Sequence, residues 1–380
     1  MANAFYQNFR LGVLGGGQLG RMLIQSAIDF NLDVWVLDPD ENAPCRHIAT
    51  HFSQGKLTDF DTVYQFGRQC DILTIEIENV NTEALEKLQS EGIKVFPEPH
   101  IIRLIQDKRQ QKQFYQQNDI PTADFVLTES REDVRRYFSM LPAVHKLGRE
   151  GYDGRGVQKL SSPEDLPKAF DAPGLLEKLI DFEKELAVIV ARNEKGEMKT
   201  FPPTEMVFHP EHNLVEYLFA PADISAEVAT QADQLAKKVI EKLGMTGLLA
   251  VEMFLTKDGK LLVNEIAPRT HNSGHHSIEA NVTSQFEQHL RAILNMPLGA
   301  TDTKLPAAMV NLLGEDGFTG LARLEGLEET LAIEGAKVHL YGKKMTKPFR
   351  KMGHVTIVDQ DKQKLKEKVQ QVKQSLKIKA

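Results

Sequence analysis

Over the first hundred residues, short aliphatic runs alternate with stretches in which apolar positions recur every three or four residues. Residues 11–14, 34–37, 72–75 and 94–96 read as strands, and 19–30, 61–68 and 82–92 as amphipathic helices between them. Strand and helix in alternation predict a parallel sheet with crossover helices. Pro97-Glu98-Pro99 interrupts the pattern, because proline fixes its own φ and restricts the residue before it. A first domain, 1–105, is expected to end just beyond it.

From residue 106 the pattern changes. A polar helix over 107–118 carries Lys108 and Lys112 one turn apart, and Ile120-Pro121 follows it. Residues 142–147, 175–180 and 185–192 read as strands, the last two as a pair, with no crossover helices between them, which predicts an α+β unit with antiparallel sheet. The stretch 225–243 is an amphipathic helix with Ser225 as N-cap and Gly244 as the glycine that ends it. This second domain is expected over 106–300 and a small third one over 301–380. The third holds strand candidates at 305–313 and 337–341. It closes on 361–379, where seven lysines face Asp361 and Glu367, read as the solvated face of a helix.

The composition narrows the class. With 380 residues, 26% charged and 41% hydrophobic, the chain is neither a collagen, a disordered tail nor a membrane channel. Its 46 basic against 53 acidic side chains leave a formal charge of −7, which argues against a grip on nucleic-acid phosphates. The longest apolar runs, such as 248–255, fall short of the roughly 20 residues that a spanning helix needs, so no membrane partner is expected. Residues 1–10 lack the apolar centre of a secretory leader, and a cytoplasmic protein is expected. Cys45 and Cys70 match neither a disulfide framework nor a zinc spacing.

Three features carry candidate chemistry. Gly15-Gly16-Gly17-Gln18-Leu19-Gly20 sits between a strand and a helix, and Asp38 closes the second strand. That arrangement suits a dinucleotide, a substrate phosphate or ribose, or a tight turn with no ligand. In the second feature, Asp258-Gly259 lies between two apolar runs, the strongest short signal for a hairpin, and a two-residue turn there sets Glu252 opposite Glu265. Facing carboxylates among aliphatic neighbours repel and resist burial. A cation, a shared proton or an escape into solvent must relieve them. With Asn264 alongside, Mg²⁺ is the favoured answer, since it takes one or two carboxylates and completes its shell with phosphate oxygens and water. The third feature is a loop punctuated by Gly148, Gly151, Gly154 and Gly156, expected to be a mobile flap that closes over phosphates. Lys146 and Lys108 would supply point charges beneath it.

Taken together, these features resemble the ATP-grasp enzymes, and among them quite closely the 5-(carboxyamino)imidazole ribonucleotide synthetases, biotin-independent carboxylating ligases of purine synthesis. The resemblance runs nearly end to end and rests on GGGQLGR at 15–21, EIEN at 76–79, GYDGRG at 151–156, NEIAPRTHNSG at 264–274, and YGK at 341–343 followed by RKMGH at 350–354. It implies an α/β and α+β ATP-grasp fold: a Rossmann-like N-terminal domain, a central grasp domain holding ATP between antiparallel sheets, and a small C-terminal domain. The reaction implied is carboxylation of the exocyclic amine of 5-aminoimidazole ribonucleotide by bicarbonate through carboxyphosphate, with ATP and Mg²⁺ (or Mn²⁺), no biotin, and a homodimeric enzyme.

Residue by residue, the resemblance implies that Lys108 and Lys146 hold ATP phosphates under Gly151, Tyr152, Asp153, Gly154, Arg155, Gly156 and Val157. Glu177, Lys178, Leu179 and Ile180 would form the adenine edge, Glu185 would bind the ribose, and His209 rather than His212 would face the nucleotide. Glu252 and Glu265 would be the metal ligands, with Asn264 and Glu265 on the ATP side. Tyr152, Asp153 and Arg155 would contact the imidazole nucleotide, Lys343 and Arg350 its phosphate, with Gln18 and Glu76 nearby. Arg269, His271 and Asn272, together with Lys343, would serve the bicarbonate chemistry. Glu150 stands where the family often has another glycine, and Ala267 where many grasp enzymes carry Asn, which leaves no third ligand there. Rival readings are a formate-dependent glycinamide ribonucleotide transformylase of the same fold, a non-catalytic nucleotide-binding module, and an NAD-dependent dehydrogenase. The dehydrogenase would leave Glu252, Glu265 and the flap without a task.

Overall fold

The computed structural model describes residues 9–149, 156–208 and 214–380. The N-terminal sheet has five parallel strands in the order His51–Gln54, Asp33–Asp38, Arg10–Leu14, Ile72–Ile75, Lys94–Phe96. The expected alternation is present, with helices at Gln18–Asp29, Phe60–Gly67 and Thr82–Ser90. The strand His51–Gln54 is an addition, too short and polar to show a pattern, and it sits at the sheet edge. Asp59 and Asn81 cap the second and third of these helices by accepting from Thr62 N and Ala84 N.

One face of this sheet is covered from outside the first domain. Leu11, Val13, Leu23 and Val34 share a core with Phe286, Leu290 and Ile293 of the helix Gln285–Ile293, and with Tyr341. Thr74 Oγ1 and His289 Nε2 lie 2.9 Å apart within the same contact. The first and second units are therefore fused through a common apolar interior, which fixes the N-terminal turn relative to the cleft.

The second unit contains two antiparallel sheets. The smaller has the order Phe125–Thr128, Gly174–Lys178, Ala143–Leu147, Val157–Leu160. The larger has nine strands and includes Phe182–Arg192, Gly247–Thr256 and Leu261–Ala267. The two strands expected to pair, at 175–180 and 185–192, instead belong to different sheets. Lys178 N and Leu179 N donate to Asp124 O and Pro142 O, which ends the first strand on the small sheet before the chain crosses to the large one. The helix Ala226–Leu243 has Ser225 accepting from Val228 N, and Gly244 ends it at φ 65°.

The large sheet continues past residue 300. Val215–Ala220 pairs with Ala307–Leu313, which pairs with Lys351–Val358, which pairs with Ala336–Leu340. Lys351–Val358 escapes a sequence reading because Gly353 and His354 break its apolar run, yet Met352 through Ile357 are buried. The lysine-rich end forms the helix Lys362–Ser375, capped by Asp361, with Leu365, Val369 and Val372 packed on the sheet. It is shorter than expected, because Lys377–Lys379 turns into a strand against Arg323–Glu325.

The shared core carries a stability prediction. Leu290→Ala should destabilise the protein by about 2–5 kcal/mol, as for other buried leucines, although Leu290 lies outside the N-terminal domain whose core it completes. Urea unfolding checks this, and a shift below about 0.5 kcal/mol would contradict the shared core.

Candidate functional site

The hairpin places Glu252 opposite Glu265, as expected, but by a different route. Thr256 N donates to Lys260 O at 2.9 Å, so the turn has three residues and not two, with Gly259 at φ 81°. That shifts the register near the turn by one, pairing Leu255 with Leu261 and Met253 with Val263. An extra residue, Asn264, then bulges from the second strand and restores the expected alignment at Glu252. Glu185 stands opposite Phe254 on the adjoining strand, while Ala187 stands opposite Glu252. Residues two apart on a strand share a face, so Glu185 and Glu252 project the same way.

Burial, reinforced by the charges of Glu265 and Glu185, pushes Glu252 up to about 8. Burial pushes Glu185 up to about 7, with Lys146 opposing it. Glu265 behaves differently. Its side chain is 49% exposed within the cleft, but enough protein surrounds it that its charge gains little from bulk water. That burial works against ionisation, but Lys108 Nζ at 2.6 Å from Oε1 more than offsets it and holds the carboxyl below its usual range.

The opposing sheet and helix bring three ammonium groups to these acids. Lys108 opens the helix Lys108–Gln117, capped by Asp107, and its own N–H donates to Gly148 O at 2.8 Å at the base of the glycine loop. Lys146 Nζ lies 3.3 Å from Glu177 Oε1 and donates to Asn264 Oδ1 at 3.2 Å. Lys112, one turn after Lys108, is almost wholly buried; it pairs with Glu177 Oε2 at 2.8 Å and bonds the Thr122 hydroxyl. Burial opposes the charge on Glu177, yet Lys146 and Lys112 together bring its pKa below the ordinary value. A cavity lined by Lys108, Lys112, Lys146, Tyr115, Asn264 and Glu265 lies at this junction.

Glu177 therefore turns its side chain into the lysines. Along the rest of the expected adenine edge, the amides of Lys178 and Leu179 are already committed to Asp124 O and Pro142 O. Ile180 follows them, just before the strand Phe182–Arg192.

The glycine turn is closed by the protein's own carboxylates. Gly16 N donates to Asp38 Oδ2 at 2.7 Å, and Gly17 N and Leu19 N each donate to a Glu76 oxygen at 3.0 Å. A Cβ on Gly17 would run into the Glu76 carboxylate. The anion position at this helix N-terminus is thus filled and Asp38 is engaged, which removes the dinucleotide reading. Gln18 stands half-buried at the first position of that helix.

The segment after the hairpin reaches the same region. Arg269 Nε lies 2.8 Å from Glu78 Oε1, contributed by the N-terminal domain. His271 Nε2 lies 3.6 Å from Glu252 Oε1, and its Nδ1 is 2.9 Å from Ser273 Oγ. The Gln285 amide clasps the His271 backbone, accepting from its N at 2.8 Å and donating to its O at 2.7 Å. Asn272 exchanges two amide hydrogen bonds with Asn311. His275 and His276 turn into the interior, where burial lowers their pKa values.

Lys343 and Arg350 both donate to backbone carbonyls of their own segment. Lys343 Nζ donates to Lys351 O at 2.7 Å, and Arg350 Nη1 donates to Met345 O at 2.6 Å. The Lys343 loop leans on the first helix, where Gly342 faces Arg21. Gly156 and Val157 anchor the far end of the glycine loop, Val157 pairing with Lys146. Glu150, Gly151, Tyr152, Asp153, Gly154 and Arg155, with His209 and His212, lie outside the described residues. Gln285 and Asn311 are additions, and Lys112 and Glu78, noted in the sequence only within a helix and a motif, gain their roles here, because each acts through a partner that the fold brings to it.

The chain is similar to known proteins along most of its length. Residues 9–106 match the ribonucleotide synthetase preATP-grasp domain, 113–286 the ATP-grasp domain, and 307–368 the phosphoribosylaminoimidazole carboxylase C-terminal domain. The N5-carboxyaminoimidazole ribonucleotide synthase of Synechococcus elongatus is 39% identical over 355 residues, covering 91% of this chain and 89% of that protein. The chloroplastic phosphoribosylaminoimidazole carboxylase of Vigna aconitifolia is 40% identical over 360 residues; they cover 92% of this chain but only 64% of that longer protein. Among solved structures, the N5-carboxyaminoimidazole ribonucleotide synthetase of Thermotoga maritima superposes with a TM-score of 0.91 at 43% identity, over 98% of this chain and 99% of that one. The synthase of Aspergillus clavatus, in complex with ADP and 5-aminoimidazole ribonucleotide, gives 0.87 at 34% identity over 96% and 98%. The chain belongs to the N5-carboxyaminoimidazole ribonucleotide synthetase family of the ATP-grasp superfamily.

Proposed function

We propose that the cleft between the two antiparallel sheets binds ATP with Mg²⁺, and that the chain uses it to carboxylate the exocyclic amine of 5-aminoimidazole ribonucleotide with bicarbonate, as a cytoplasmic homodimer. The observation that carries this reading is the facing pair Glu252 and Glu265, bordered by Lys108 and Lys146, in a chain of this family.

The donor set fits Mg²⁺. Among the described residues no group of three His, Cys, Asp or Glu side chains could hold a metal ion, whereas Mg²⁺ needs one or two carboxylates and takes its other ligands from phosphate and water. The burial and the neighbouring carboxylate charges that push Glu252 up, and the ammonium drawn to Glu265, mark a place that favours a cation. Glu252 and Glu265 would hold Mg²⁺, or Mn²⁺ in its place; when bound, it supplies positive charge to the triphosphate.

Lys108 and Lys146 would move from carboxylates to phosphate oxygens, and Glu185 would accept from the ribose hydroxyls. Arg269, whose planar fork matches a carboxylate, would hold bicarbonate beside His271 and Asn272. A bicarbonate oxygen attacks the γ-phosphorus, and the bond to the ADP oxygen breaks. Carboxyphosphate then separates into carbon dioxide and phosphate, the amine nitrogen bonds to the carbon, and the amine proton passes to the released phosphate. Exclusion of water from the cleft would keep the carbon dioxide within reach of the amine. Lys343 and Arg350 would receive the nucleotide phosphate, with Tyr152, Asp153, Arg155, Gln18 and Glu76 near the imidazole and His209 on the ATP side.

Glu252→Gln should lower magnesium-dependent ADP release on the order of a hundredfold or more, and unchanged turnover would remove its role. Arg269→Ala should raise the bicarbonate KM while leaving ATP binding, measured by calorimetry without bicarbonate, within about threefold. A loss of ATP binding instead would contradict the assignment.

The pH dependence has a definite sign. Glu252 binds its proton up to about 8 in the ligand-free fold, so Mg²⁺ binding must displace that proton. Its affinity should rise by up to about tenfold per pH unit between 6 and 8 and level off above. For the same reason, the stability that protonated Glu252 contributes is complete below the ordinary carboxylate range and is lost as pH rises through about 8. Glu252→Gln should remove the first trend and weaken the second, which the raised pKa of Glu185 partly sustains, and a flat affinity in the unaltered protein would contradict the burial of this carboxyl.

A further inference from the structure

We propose that Asn311 is a positioning residue that fixes which end of the Asn272 side-chain amide faces the reaction chamber. Asn311 sits in the strand Ala307–Leu313, only 6% exposed, and among the described residues its side chain hydrogen-bonds Val215 and Asn272. Its Nδ2 donates to Val215 O at 2.8 Å. A peptide carbonyl only accepts, so the nitrogen end of the Asn311 amide must lie there. The same Nδ2 donates to Asn272 Oδ1 at 3.0 Å, and Asn311 Oδ1 accepts from Asn272 Nδ2 at 2.8 Å.

The chain of constraint runs outward from Val215. Its carbonyl orients Asn311, and Asn311 orients Asn272. One N–H of Asn272 is consumed by Asn311, and the other remains for an acceptor. That is the end of the amide suited to an anionic oxygen, while a flipped Asn272 would present a carbonyl that repels it. Gln285 steadies the preceding residue in parallel through both backbone groups of His271. The inference rests on the reading that the Arg269 to Asn272 segment receives bicarbonate. It adds a residue from the C-terminal segment that acts on that chemistry without touching it.

The test uses the full chain and ADP release with ATP, Mg²⁺ and 5-aminoimidazole ribonucleotide while bicarbonate is varied. Asn311→Leu, of similar size but without an amide, should raise the bicarbonate KM about tenfold, the scale of one lost hydrogen bond, with the ATP KM within about twofold. Asn311→Ser, which keeps a polar group but is too short to bridge to Asn272, should show the same split and serves if the leucine variant does not fold. Combined with Asn272→Ala, either substitution should add nothing further. An unchanged bicarbonate KM in folded Asn311 variants while Asn272→Ala raises it, equal rises in both KM values, or additive effects would overturn the proposal. An unchanged bicarbonate KM in Asn272→Ala would instead remove the bicarbonate assignment at Asn272, and the proposal with it.

Discussion

Charge closure in a narrow space governs this molecule. Glu177, Glu185, Glu252 and Glu265 face Lys108, Lys112 and Lys146 where the two antiparallel sheets and one helix meet. All but Glu265 are largely withdrawn from water, and an isolated buried charge is far more costly than a paired one. The lysines settle on Glu177 and Glu265, and the surplus negative charge is relieved by protons, through the raised pKa values of Glu252 and Glu185. A polyphosphate with its cation offers the same groups a second arrangement, in which lysines face phosphate and carboxylates face metal. The ligand-free protein is thus a balanced set of pairs that a charged ligand can exchange.

The N-terminal domain serves that space as a wall. Its glycine turn is satisfied internally by Asp38 and Glu76, so the helix N-terminus that would draw a phosphate is already occupied. Besides the Gln18 and Glu76 proposed near the imidazole, it offers Glu78, which pairs with Arg269 from across the domain boundary, and a core shared with Phe286 and Leu290. Both contacts tie the parallel sheet to the segment carrying Arg269, His271 and Asn272. The C-terminal segment contributes similarly, since Asn311 sits on strands that extend the central sheet itself.

Local features were the legible ones. Helix ends at Ser225 and Gly244, strands at 72–75 and 94–96, and the facing glutamates all follow from short-range pattern. The glutamate pairing emerged because two departures cancel: a three-residue turn moves the register by one and the bulge at Asn264 moves it back. Allocation of strands to sheets was not legible, as 175–180 and 185–192 show, because the choice depends on which distant edge is open. Lys351–Val358 stayed hidden because its glycine and histidine are buried by neighbouring strands and not by their own hydrophobicity. Partners such as Lys112 with Glu177 or Asn272 with Asn311 are invisible until the fold brings them together.

The central claim is that the paired charges between the sheets exist to handle ATP for carboxylation of an imidazole amine. It is tested most directly by ADP release from the purified chain with ATP, Mg²⁺ and bicarbonate, measured with and without 5-aminoimidazole ribonucleotide, and in parallel with glycinamide ribonucleotide and formate. Strong stimulation by the imidazole nucleotide, dependent on bicarbonate, is the expected result. Stimulation only by the glycinamide pair would contradict the substrate, and silence in both would contradict the proposed reaction itself.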